Sequence, residues 1–212
     1  MSAGANVTGR TRRLARGEGG MTLPEVMVAM SLMVIVAVVF LSVLQSAQNA
    51  IVGEQARSTN NDQARLAIEE IDREVRSGDV LYDPATEASP SSPYYGLRVY
   101  TEANATTRGY AAMCVQWRIS NSQLLVRRWP SGNTAAVTGW RTVADSIVNV
   151  SQGVHAFELD PSSTSGGRIL NITVLVNSKP SDTTSRTIRL DDAVAIRNQV
   201  TGTNPCAAVP SG

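Results

Sequence analysis

The sequence predicts an α+β protein: a long amino-terminal helix, membrane-spanning in its first half, packed on an antiparallel β-sheet head. Three observations predict it. Apolar residues crowd between Val26 and Leu44, a helical period follows as far as Ser77, and beyond Gly78 the chain breaks into short alternating runs. At 212 residues and 42% hydrophobic composition, the chain has room for one ordinary domain and an additional element, and its composition is that of a folded protein.

The apolar run is interrupted only by Ser31 and Ser42. As a helix rising ~1.5 Å per residue it is roughly 28 Å long, which suffices to cross hydrocarbon. Arg10, Arg12, Arg13 and Arg16 precede it. They predict that the amino terminus stays in the cytoplasm and that everything after Leu44 lies outside. Without residues 1–20 the chain keeps 15 basic against 17 acidic residues. A near-neutral domain with scattered basic residues has no stripe for nucleic acid or anionic lipid, so no direct nucleic-acid contact is expected.

A secretory signal peptide carries its cleavage site behind the apolar stretch. Here the distinctive residues stand in front of it, as Glu18-Gly19-Gly20-Met21-Thr22-Leu23-Pro24-Glu25. Thr22 and Glu25 have the spacing of a capping box, in which each side chain bonds the other's backbone amide, and Pro24 is tolerated in a first helical turn. A carboxylate at the edge of a membrane helix also calls for a partner.

The order of basic leader, Gly20, Thr22, Leu23, Glu25 and apolar helix resembles the type IV prepilin family, with Met21 where that family usually has Phe. The resemblance implies a type IV pilin-like fold and a membrane peptidase that cuts between Gly20 and Met21 and methylates the new amine of Met21. Thr22 and Leu23 would belong to the recognition motif, and Glu25 would pair with the charged terminus of a neighbouring subunit during assembly. It also implies a division into a cleaved leader (1–20), a transmembrane and filament-core half-helix (21–44), an amphipathic half-helix (45–78) and a β-rich head (79–212).

The implied partners are a prepilin peptidase, other pilins or pseudopilins, a membrane assembly platform with its ATPase, and the bilayer before assembly. The implied location is the inner membrane, with the head extracytoplasmic, and then a filament at the cell surface or in the periplasm. The helix end Glu-Ile-Asp-Arg-Glu-Val-Arg and a closing strand ending Val-Ala-Ile-Arg-Asn look like the J-type minor pseudopilins. The competing class is a signal-anchored extracytoplasmic ligand-binding module that does not polymerise.

In the second half of the helix, Ala64, Ala67, Ile68, Ile71 and Val75 form one apolar face, and Glu69/Arg73 and Asp72/Arg76 stand at pairing distance along the helix. Gly78 supplies a stop, while Gly53 is either a hinge or a tolerated helical glycine. Residues 83–93, rich in Pro and Ser, read as a surface loop and, with 160–167, as the least constrained stretches. Strands are expected at 96–101, 112–119, 123–129, 140–144, 154–159, 169–177 and 187–196. Asn121-Ser122 is expected to close a tight hairpin, and Lys179-Pro180-Ser181-Asp182 to join the last two strands.

Cys114 and Cys206 both fall on the predicted outer side, where disulfides persist. A bond between them, contributing about 4 kcal/mol by loop entropy, stands against a buried Cys114 with a loose Cys206. The single histidine, His155, reads as a surface or edge residue. One histidine supports neither a histidine metal cluster nor a Ser/His/Asp triad, and Gly166-Gly167 lacks P-loop context, so no enzyme, metal or cofactor is expected. Trp117, Trp129 and Trp140 read as core residues in preference to an aromatic binding face.

Overall fold

The computed structural model describes residues 20–87, 93–102, 112–162, 169–179, 186–196, 205–207, 209 and 210. The leader through Gly19, the chain beyond Lys179 in the last connection, Gly166-Gly167 and the end of the closing segment after Ile196 lie outside them. The chain forms two compact units, residues 1–50 and 51–212.

One helix, α1, runs from Leu23 to Ser77, 55 residues in all. Gly53 continues it, so this position is a helical glycine and no break. Asp72 and Arg76 form the expected ion pair at 2.7 Å. Glu69 and Arg73 do not pair; both are exposed, and Glu70, one residue along, turns towards the head. The stop at Gly78 has a steric cause: a Cβ there would stand 2.5 Å from Val99 Cγ1 and 3.0 Å from the Glu74 carbonyl. Only glycine lets the chain leave α1 so close to the sheet.

The strands make two antiparallel sheets. The first has the order β1-β2-β3-β4-β5, built from Val80–Leu81, Gly96–Thr101, Met113–Ser120, Gln123–Pro130 and Arg141–Asp145. The second has the order β6-β7-β8, built from Phe157–Leu159, Ile169–Val176 and Ile188–Ala195. Asn121 and Ser122 have φ of 50° and 59°, the positive values a two-residue type I′ hairpin needs at both central positions. Consequently Ser120 pairs with Gln123 and the alternation of β3 is carried into β4 in phase.

Two elements differ from expectation. The strand expected at 154–159 begins only at Phe157, because a short helix, α2 (Asn149–Gln152), ends on left-handed Gly153 at φ 63° and the Val154 amide turns back to Asn149 O. The stretch 83–93 is not simply a surface loop. Asp83 closes a turn through bonds from the amides of Ala85 and Thr86, and Glu87 is buried at 5% exposure; residues 88–92 lie outside the described ones.

One face of the first sheet presents Leu97, Val99, Val115, Trp117, Ile119, Leu124 and Val126. These join Ala64, Ala67, Ile68, Ile71 and Val75 of α1, and Phe157, Leu170, Ile172, Val174 and Val194 of the second sheet, in one hydrophobic core. The sheets are stitched by backbone: Ile147 bridges Val176, and the amides of Ala156 and Phe157 both donate to the Tyr94 carbonyl.

Candidate processing site and an arginine cluster on the head

Gly20 is exposed and irregular, with nothing within 4 Å of the place a side chain would occupy. Met21 and Leu23 are 73% and 76% exposed. An accessible, non-helical peptide bond followed at once by a helix is what a peptidase can enter. The expected capping box is not formed. Thr22 instead accepts the amides of Glu25 and Val26 through its backbone carbonyl, at 3.0 and 3.2 Å, so the Glu25 carboxylate is not used to cap the helix. That carboxylate is exposed and has no ion-pair partner among the described residues.

No charged residue stands between Glu25 and Glu54. Within α1 an 18-residue window reaches a mean hydropathy of 2.9, and none of it is buried. The two polar interruptions are satisfied inside the helix: Ser31 donates to Val28 O and Ser42 to Val39 O, both at 2.8 Å. A helix that internally bonds its backbone and its hydroxyls leaves little to desolvate. This helix is long and apolar enough to cross a membrane.

On the head, Cys114 and Cys206 form a disulfide across 92 residues of sequence. It holds residues 205–207 on the outer face of the first sheet, away from the core. Cys206 donates its amide to the Tyr82 hydroxyl, and Ser131 Oγ donates to Pro205 O. Trp129, beside the disulfide, and Trp117, in the main core, are each at most 1% exposed; Trp140 is only half-buried.

Three of the arginines that look scattered in the sequence are gathered on this outer face. Strand register sets Arg98, Gln116 and Arg127 side by side across β2, β3 and β4. Arg127 Nε donates to Gln116 Oε1 at 2.9 Å, Gln116 Nε2 donates to Glu87 Oε1 at 2.9 Å, and Arg98 pairs with Glu87 Oε2 at 3.0 Å. Backbone carbonyls complete the row: Arg98 donates to Cys206 O and Arg127 to Pro210 O. Arg118 and Arg127 both lie over the Trp140 ring, at 4.0 and 4.3 Å from its centroid. Burial lowers the pKa of both guanidiniums, and the charge of Arg118 lowers Arg127 further.

The two-residue hairpin turn was the one signal from which this juxtaposition could have been read, since it fixes which β3 residue meets which β4 residue. His155 is exposed and stacks on Tyr94 at 4.0 Å between ring centroids. No group of three or more His, Cys, Asp or Glu able to hold a metal occurs among the described residues. Comparison with known protein families, with curated proteins and with solved structures finds no match to this chain.

Proposed function

We propose that the chain is a prepilin-type precursor, cut between Gly20 and Met21 and then used as a structural minor pilin or pseudopilin in a type IV pilus-like or type II secretion filament. The observation that carries the reading is the junction at Gly20: an exposed peptide bond, then Thr22-Leu23-Pro24-Glu25, then a helix with no charge before Glu54 that continues into the head's core.

The cut creates a positive amine at Met21. The Glu25 carboxylate, not engaged as a cap, then serves as the counter-charge for the amine of an adjacent subunit. In hydrocarbon an unpaired carboxylate costs a few kcal/mol, so the pairing favours entry of the subunit into the filament. The apolar part of α1 holds the precursor in the membrane until then, with the head on the outer side. The α+β architecture, a long first helix followed by antiparallel sheets, is that expected of a type IV pilin-like subunit. In this role the protein does no catalysis; the peptidase, the platform and the ATPase supply it.

Intact mass and terminal sequencing of the membrane-resident protein, from cells with and without prepilin peptidase, test the reading. The expected result is a peptidase-dependent start at Met21 carrying one added methyl group. A start at Met1 in both strains would overturn it and favour an anchored ligand-binding module. Such a module would also tolerate Glu25→Ala, which the filament reading expects to abolish incorporation.

A further inference from the structure

We propose that the outer face of the first sheet docks an acidic segment of a partner protein, with Arg118 receiving a partner carboxylate and Trp140 serving as its platform. The site stands whether or not the chain is a prepilin.

The geometry points there because Arg118 has no counter-charge among the described residues. Three guanidiniums, Arg98, Arg118 and Arg127, share this face, and among the described residues Glu87 is bonded into the network of the other two. Arg98 takes that carboxylate directly, and Arg127 reaches it through Gln116. Arg118 is left over. Its guanidinium makes no hydrogen bond or ion pair with the described residues, its Nε is buried without an acceptor, and the ring of Trp140 is its contact. Such an arrangement is costly to a fold, because a partly desolvated charge has neither water nor counter-charge at one of its donors. Nε itself is out of a partner's reach, but the two terminal amino groups are not buried, and a carboxylate can accept two parallel N–H bonds from them.

The stack also holds the site ready. A guanidinium laid on an indole has lost side-chain freedom before any partner arrives, so binding orders little that is not already ordered. Tryptophan and arginine together are the residue types that dominate protein interfaces. Charge complementarity selects an acidic partner. The domain outside residues 1–20 is nearly neutral, with 15 basic and 17 acidic residues, so it lacks the extended positive field that a phosphate polymer or anionic bilayer needs. A single strong acceptor of one or two carboxylates is what this face provides.

The test uses full-length protein in detergent, titrated at low salt with a fluorescein-labelled hexaglutamate peptide, with a hexaglutamine peptide as control. Hexaglutamate should bind, more weakly as salt rises, and hexaglutamine should not. Arg118→Gln should lower the affinity about tenfold, Arg118→Lys should lose less, and Arg189→Gln, on the second sheet, should leave it unchanged. Equal melting temperatures, with Trp140→Phe as a second variant that keeps an aromatic platform and most of the affinity, separate binding from folding. Absence of hexaglutamate binding by the wild type, or equal affinity in Arg118→Gln, would overturn the proposal. Tighter binding of inorganic phosphate, or of a single-stranded oligonucleotide of the same charge, would overturn the assignment to a protein carboxylate.

Discussion

Arg128 Nη2 on β4 donates to Glu70 Oε1 on α1 across 2.7 Å. The same nitrogen also reaches Glu74 at 3.0 Å, and Arg141 of β5 meets Glu70 at 3.0 Å from the other side. Two arginines from neighbouring strands therefore hold two carboxylates one turn apart on the helix. Burial alone would raise the Glu70 pKa. The hydrogen bond from Arg128 and the charges of Arg141 and Arg128 outweigh it, and the net shift is downward.

A depressed carboxyl contributes stability above its unfolded pKa and loses that contribution as pH falls through the folded value. Glu70 therefore stabilises the head at neutral pH and ceases to do so in acid, as pH falls below the ordinary carboxylate range. Glu70→Gln should cost about 1 kcal/mol at pH 7, the pair being partly exposed, and should flatten the decline of stability between pH 5 and 3. Denaturant unfolding at a series of pH values measures both. An unchanged acid slope in the variant would remove Glu70 from the account.

Replacing both Cys114 and Cys206 by Ser opens a loop of 92 residues. The chain-entropy estimate puts the loss at about 4–5 kcal/mol, and residues around Cys206 should come away from Trp129, which they help to bury. Indole fluorescence should shift to the red under reduction in the wild type and without reduction in the double variant. A head equally stable with and without reductant would show that the segment is held by its hydrogen bonds alone.

Two glycines in or beside the same helix should respond to alanine with opposite signs. At Gly78 the added methyl meets Val99 at 2.5 Å and backbone at 3.0 Å, so the change should cost about 1–3 kcal/mol as overpacking does. At Gly53 the nearest atom is the end of the Lys179 side chain at 3.4 Å, which can move, and alanine should stabilise the helix by about 0.5–1 kcal/mol. Thermal melting of the two single variants reads the signs; equal effects would contradict the geometry.

The helix was legible because 3.6-residue periodicity and unbroken apolar character are local signals, and the buried residues Ala64, Ala67, Ile68, Ile71 and Val75 are the ones that spacing selects. Strand positions were legible to within a residue or two, apart from the strand beginning at Phe157, for the same reason. Three features were not. Strand β1 is two residues long, too short for any alternation, and exists because Val80 and Leu81 follow Gly78 onto the edge of β2. Glu87 lies in a Pro- and Ser-rich stretch whose composition says loop; only the arginines across the sheet give its carboxylate a reason to be buried. Near-neutral net charge likewise hid the Arg98/Arg118/Arg127 cluster, since a sum over the chain discards position.

Each strand of the first sheet pairs with the one made just before it, from β1 through β5, and the second sheet repeats the rule from β6 to β8. Nearest-neighbour pairing keeps the search for partners short, so a head that emerges from amino to carboxyl end can add strands in the order of their appearance. The exception is Cys206, whose partner Cys114 has by then been enclosed between β2 and β4. The Cys114–Cys206 bond should therefore close after the strands have paired, and a protein caught before it should already possess both sheets.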